Sequence, residues 1–187
     1  MSRWEPNTRG RLEQVALELY LERGFERTTV AEITARAGLT ERTFFRHFAD
    51  KREVLFAGSV LLRDLCVGAI AEAPEDVAPI DAVFAALRAA ADGMQERQES
   101  VRRRQVVIDA NSELQERELI KLAALSAAMT EALVRRGVSE LAARVTAEAG
   151  MAVFKIAFER WVGARELELP RVLRECFDAL RDVTAGG

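Results

Sequence analysis

The sequence predicts an all-α protein, with a small N-terminal helix-turn-helix domain followed by a larger helical domain. Three observations lead there. Alanine, leucine, arginine and glutamate, all good helix formers, dominate the chain. Only four prolines occur in 187 residues, two of them (Pro74 and Pro79) in one short break, and no alternating run of valine, isoleucine and threonine reads as a strand. Finally, Gly24 to Lys51 carries two short helix patterns joined by a turn that contains a glycine. That layout places a helix in the major groove of DNA.

Residues Ser2 to Thr8 are polar and lack periodicity, so a loose arm is expected, with Asn7 or Thr8 capping the first helix. Leu12, Val15, Ala16, Leu19 and Tyr20 recur at helical spacing and predict that helix from Thr8 to Arg23. Gly24 is placed to end it in a left-handed conformation. Thr29 with Glu32 three residues on is a capping box that starts a second helix, whose buried face is Val30, Ile33 and Ala37. Gly38 takes the turn, Leu39 anchors it, and Thr40 caps a third helix from Glu41 to Phe48. So short a helix needs packing to hold it, and Phe44 and Phe48 share the face that supplies it. The opposite face carries Glu41, Arg42, Thr43, Arg46 and His47.

Asp50 and Glu53 read as a second capping box, opening a fourth helix. Its apolar positions, from Val54 and Leu55 through Leu61, Leu62, Leu65 and Cys66 to Ala69, predict one continuous rod joining head to body. Residues 73–79 end it. The body comes next, as four or five helices. One opens at Pro79 and runs to Gln98, and a shorter one spans Ser100 to Asn111. A long one starts at Ser112 with Gln115 and stops before Gly137. Another runs from Ser139 to Ala164, and the last opens at Pro170. The helix over 139–164 is apolar on two faces: Val145, Ala149, Ala152, Ile156 and Gly163 on one, Phe154, Phe158 and Trp161 on another. Such a helix is either central in its own bundle or shared with a partner. With the last helix it is read as a dimer interface carried by Val145, Ala152, Ile156, Val172, Cys176 and Leu180, two helices from each subunit forming a four-helix bundle. The competing reading packs both helices inside the monomer.

The net charge of −3 argues against a simple cationic nucleic-acid coat. It is uneven, however. Ten Lys/Arg against eight Asp/Glu give residues 1–52 a charge of +2, leaving −5 for the rest. A mildly basic head on an acidic body suits a local DNA site. Cys66 and Cys176 have neither metal-ligand nor redox spacing and lie in apolar helical patterns, so both are read as buried hydrophobes. The polar N-terminus lacks the apolar core of a signal peptide, and no apolar run is expected to reach the ~20 residues of a membrane span. A soluble, cytoplasmic protein is expected. With one histidine, no metal-ligand cluster and no Gly-rich phosphate loop, no catalytic constellation is present, and no enzyme activity, metal or cofactor is expected. Arg102-Arg103-Arg104 reads as a solvated face.

The head resembles the TetR family of bacterial transcription regulators. The resemblance rests on Gly24-Phe25, Thr28-Thr29-Val30, Ile33, Ala37-Gly38-Leu39-Thr40, Thr43-Phe44-Phe45, His47-Phe48, Lys51 and Leu55. The rest of the chain matches in outline only. It implies about nine helices, with a helix-turn-helix DNA-binding domain over 1–50 and a helical ligand-binding and dimerisation domain over 51–187. By position, Thr29, Thr40, Glu41, Arg42, Thr43, Phe45, Arg46, His47 and Lys51 are the DNA-binding candidates. Thr29 and Thr40 offer helix N-termini to phosphate. Arg42 has the reach for guanine O6 and N7, His47 and Lys51 for phosphates. The family often has tyrosine where this chain has Phe45, and glycine where it has Arg42, so operator preference does not carry over from relatives. Phe84, Arg88, Met94, Asp109, Met129, Met151, Phe154 and Phe158 are the ligand-pocket candidates, with Asn111 and Lys155 as further polar groups, although at helical spacing the apolar ones equally suit plain core. The functional expectation is a homodimeric, ligand-responsive repressor that binds a palindromic operator in double-stranded DNA and releases it for an unidentified small molecule. The alternative is a TetR-like DNA-binding protein without that switch, acting through protein partners.

Overall fold

The computed structural model describes residues 8–185, so the expected arm and its Asn7 cap lie outside the described residues, apart from Thr8. Nine α-helices and one 3-10 turn run in order, with no strand among the described residues: α1 (Thr8–Arg23), α2 (Val30–Ala37), α3 (Glu41–His47), the 3-10 turn Glu53–Phe56, α4 (Ser59–Glu72), α5 (Pro79–Gln95), α6 (Gln98–Asp109), α7 (Ser112–Arg135), α8 (Glu140–Gly163) and α9 (Leu169–Thr184). They form two compact units. The first holds the residues up to Gly58 together with Arg102–Glu118; the second holds Ser59–Val101 and everything from Leu119 on.

The first unit is built on the α1 stripe. Leu12, Ala16, Leu19 and Tyr20 are buried against Phe25, Ile33, Ala37, Phe44 and Phe48. Val107, Ile108 and Leu114, from the end of α6 and the start of α7, complete the same core. This segment is also clipped by charge. Arg104 Nε donates to the Leu55 carbonyl and its guanidinium lies 5.0 Å from the Phe56 ring centre. Arg117 Nε donates to Glu53 at 2.7 Å, and Arg52 pairs with Glu113 at 2.5 Å. The Arg102–Arg104 run is therefore no solvated face: Arg102 is 8% exposed, Arg104 is half-buried, and only Arg103 is exposed. Long aliphatic stems let arginines line a core while their heads find acceptors. Burial lowers the Arg104 pKa from its ordinary value, and Glu118 opposes that shift.

The expected continuous fourth helix is broken. Val54, Leu55 and Phe56 are consecutive and all buried. An α-helix turns by about 100° per residue, so one face cannot bury three in a row, whereas a tight turn set into the core can. The chain resumes as α4 at Ser59. The Asp50 half of the second capping box forms. Asp50 Oδ1 accepts from the amides of Arg52 (2.8 Å) and Glu53 (3.1 Å), while the Glu53 carboxylate turns to Arg117. The Arg52 side chain, first among several donors, holds the Asp50 carboxyl below its ordinary range. This cap thus adds stability above the unfolded carboxylate pKa and loses it as pH falls through the folded one. Glu53–Glu72 also corrects the expectation about apolar runs. An 18-residue window within these 20 residues has a mean hydropathy of 1.9, long and apolar enough by composition to cross a membrane. In the fold, Val54–Phe56 enter the core of the first unit, and Cys66 and Ile70 that of the second.

The second unit is organised by α8, which buries Ala143, Ala147, Gly150, Met151, Phe154, Ala157 and Trp161. Gln95 ties three helix ends together. Its Oε1 accepts from Trp161 Nε1 and from the Leu169 amide, both at 2.9 Å. Arg136, just past α7, covers the end of α4 by donating to the carbonyls of Ile70, Ala73 and Pro74. Cys66 is fully buried, which pushes its thiol up to about 11, while Cys176 is only half-buried. Among the described glycines, Gly150 makes the closest approach to another helix. A Cβ there would overlap Val83 Cγ1 on α5 and approach Leu87 Cδ1 at 3.3 Å. Gly150→Ala should therefore destabilise the protein by about 1–3 kcal/mol, the range for overpacking. Urea unfolding measures the loss, and Val83→Ala in the same chain should recover part of it.

Candidate nucleic-acid interface

The α2–turn–α3 geometry arises from local chemistry. Thr29 Oγ1 accepts from the Glu32 amide at 3.2 Å, and Glu32 Oε2 accepts from the Thr29 amide at 2.8 Å, so the capping box closes. The Thr29 amide holds the Glu32 carboxyl below its ordinary range. At φ 65° Gly38 adopts the left-handed conformation that the turn requires, and Leu39 N returns to Thr34 O at 2.9 Å. Thr40 Oγ1 then accepts from the Thr43 amide at 3.2 Å and starts α3. Phe44 is fully buried and Phe48 nearly so, 5.5 Å apart between ring centres. That fixes which face of α3 turns outward. Glu41, Arg42, Phe45 and Arg46 are exposed, Phe45 by 54%.

Other arginines of this unit are held by neighbours. Arg36 bonds to Glu22 through both terminal nitrogens (2.6 and 2.9 Å), keeping the Glu22 carboxyl below its ordinary range. Arg23 pairs with Glu32 at 3.1 Å, and Arg27 Nε donates to the Arg23 carbonyl. Among the described residues, no ion pair or side-chain hydrogen bond holds Arg42 or Arg46. The two lie four residues apart on one helix face with Phe45 beside them. This face offers two free guanidinium forks and an apolar ring, the chemistry that reads guanine edges and a thymine methyl.

Two other candidates lie partly inside the unit. Lys51 Nζ donates to the carbonyls of Phe25 (2.8 Å), Glu26 (3.3 Å) and Thr28 (3.0 Å), and lies 4.3 Å from the Phe25 ring centre. Its three donor directions are used inside the unit, which makes it a fixture of the α1–α2 loop. The Tyr20 hydroxyl donates to Lys51 O at 2.6 Å. Burial, with the Asp50 charge second, pushes its pKa up, so it stays a donor. The His47 ring is half-buried, with Nε2 inside and without a hydrogen-bond partner.

In the second unit, Met129, Met151 and Phe154 belong to the core, and Phe84, Met94 and Phe158 pack against it. Phe84 stacks on Phe177 at 4.2 Å, and Arg88 is exposed. Asp109 lies in the first unit, where it accepts from Gln105 Nε2 at 2.9 Å. A cleft of about 470 Å³ opens at the α5–α6 corner, lined by residues 95–100 and by none of the pocket candidates. Of the dimer candidates, Val145, Ala152 and Ile156 are exposed, Cys176 and Leu180 half-buried, and Val172 buried.

Residues 14–57 match the family described as bacterial regulatory proteins of the tetR family, and residues 77–185 match the MftR C-terminal domain. The chain belongs to the TetR family. It is a DNA-binding transcriptional regulator. Over 82 residues it is 39% identical to the HTH-type transcriptional regulator TcmR of Streptomyces glaucescens, a stretch that is 44% of this chain and 36% of TcmR. The chain thus spans little over a third of the length of that relative. Its fold is shared with SmeT, the repressor of the Stenotrophomonas maltophilia multidrug efflux pump SmeDEF (21% identity, TM-score 0.63, covering 95% of this chain and 90% of SmeT). It is also shared with the SmeT–triclosan complex (22%, 0.65, 91% and 90%) and with Thermus thermophilus FadR in complex with lauroyl-CoA (23%, 0.57, 92% and 92%).

Within this TetR-family head the two roles open to Lys51 separate by salt. If Lys51 gripped a phosphate, Lys51→Met would shallow the salt dependence of DNA binding by about 0.9 in log–log slope for each bound protomer. The internal cradle predicts an unchanged slope and a lower melting temperature. A slope reduced by that amount with the melting temperature intact would restore the phosphate role.

Proposed function

We propose that this TetR-family regulator is a dimeric repressor that reads a palindromic operator with α3 and leaves it when a small apolar or amphipathic effector binds. The observation that carries the DNA part is the exposed Arg42–Phe45–Arg46 face, fixed by buried Phe44 and free of ion pairs among the described residues. Residues 1–50 serve as the DNA-binding domain and 51–187 as the effector and dimerisation domain. Residues 51–58 and 102–118 pack with the head. The dimer part is supported by α8: its inner face is buried, while Leu141 (77%), Val145 (60%) and Ile156 (53%) are exposed on its outer face. A two-fold dimer sets two copies of α3 about 34–36 Å apart, one DNA turn, so the operator repeats its half-site with inverted symmetry.

Support for the effector part comes from SmeT bound to triclosan and FadR bound to lauroyl-CoA, an apolar and an amphipathic ligand in the same fold. Such a ligand acts only if it binds more tightly to the arrangement that no longer matches one DNA turn. One observation favours the second reading, a regulator that acts through protein partners without a small-molecule switch. Met129 and Phe154 are buried side chains of a packed core, and the 470 Å³ cleft is elsewhere. Thermal melting with triclosan and with acyl-CoA separates the two. A raised melting temperature together with abolished DNA binding supports the effector switch; no shift with either class supports the filled core. Selection of bound sequences from a random DNA pool tests the operator. Arg42→Ala should flatten preference at one base position per half-site, by about 1–3 kcal/mol of discrimination. An unchanged preferred sequence would mean that Arg42 does not read bases.

A further inference from the structure

The exposed side of α8 has two unlike edges. On one, Arg160 is satisfied within the chain: it donates to Cys176 Sγ at 3.6 Å and to Glu175 at 3.3 Å. On the other, Arg144, Glu148, Lys155 and Glu159 are all exposed, and among the described residues no ion pair joins any of them. At about 100° of turn per residue these four fall within roughly 60° of arc, alongside the apolar stripe of Leu141, Val145, Ala152 and Ile156. One internal contact touches them: Glu148 Oε1 accepts from Ser126 Oγ at 2.8 Å.

The order of charge along this edge is positive, negative, positive, negative. When two antiparallel helices pack, the same edge of each faces its own copy. About a midpoint between Met151 and Ala152, position 144 then meets 159 and position 148 meets 155, so each meeting joins opposite charges. A parallel two-fold pair would instead set this edge against the opposite edge of the partner helix, so these four charges would not meet one another. Ala152 at the crossing lets the axes come close. A two-fold contact is self-complementary by construction, and this charge order is complementary to its own reverse.

We propose that α8 pairs with α8 of a second copy in antiparallel register, the two-fold axis passing between Met151 and Ala152, with Glu148 bonded to the partner's Lys155 and Arg144 to the partner's Glu159. This rests on the dimer reading above and goes beyond it by fixing register and ion pairs. The apolar stripe supplies the area. The rim charges, each modest alone, set orientation and exclude the shifted alternatives.

Charge reversal tests it, read by analytical ultracentrifugation at low salt. Glu148→Lys and Lys155→Glu should each weaken association by about tenfold or more, because each reversal occurs twice across the axis. The double variant carries the same pair with signs exchanged and should return to within about threefold of the unmodified protein. All replaced side chains are exposed, and unchanged melting curves show that the fold is kept. In a Cys176→Ser background, Ala152→Cys should oxidise to a covalent dimer and Leu141→Cys should not. A dimer indifferent to both single reversals, or not recovered by the double, overturns the register while the dimer stands. An unmodified protein that stays monomeric at all concentrations overturns the dimer reading itself, and the register with it.

Discussion

Helix α3 has seven residues, fewer than two turns, and helices of that length do not persist in water unaided. Its orientation therefore depends on the burial of Phe44, and much of the first unit is arranged to receive that ring. Phe48 packs next to it, and α1 supplies Leu12, Ala16 and Leu19 to the same core. Gly38 and the Thr40 cap set the angle at which α3 enters. Once the inner face is fixed, the outer face is determined to within a fraction of a turn, and Arg42, Phe45 and Arg46 have only one direction to point. The acidic residues beside the site act by subtraction: Glu22 and Glu32 neutralise Arg36 and Arg23, while among the described residues the α3 arginines have no such partner. On the proposed reading, base readout is concentrated on one short helix instead of being spread over a basic surface, which agrees with a chain whose net charge is −3.

In the second unit the corresponding constraint is the close approach at Gly150. With no Cβ there, α8 lies against Val83 and Leu87 of α5, and Trp161 further along reaches Gln95. One side of α8 is so consumed that its other side faces outward with a stripe of apolar residues flanked by exposed charges. Of the two faces read from the sequence, Phe154 and Trp161 lie inside and Val145, Ala152, Ile156 and Gly163 outside, while Ala149 and Phe158 are half-buried.

What could be read from the sequence was whatever neighbours in the chain decide. Thr29 with Glu32, Gly38, Thr40 and Pro79 act within four residues of themselves, and the ends of α2, α3 and α5 fall where those residues put them. The break before α4 was hidden because its cause is distant: the Leu55 carbonyl is held by Arg104, 49 residues later. The internal bonds of Lys51 were hidden for the same reason, since its acceptors at Phe25, Glu26 and Thr28 come together only when the α1–α2 loop folds back. A charged triplet such as Arg102–Arg104 looks like solvent-facing surface until Leu55, Phe56 and Glu118 are found around it. The one available signal was the apolar spacing of Val107, Ile108 and Leu114 close behind it.

Whether two α3 helices read one duplex together is tested most directly by hydroxyl-radical footprinting on an operator selected from random DNA. Two protected patches related by a two-fold axis are predicted, their centres one helical turn of DNA or a whole multiple of it apart. A single unsymmetrical patch, or uniform protection without a preferred site, would contradict that reading.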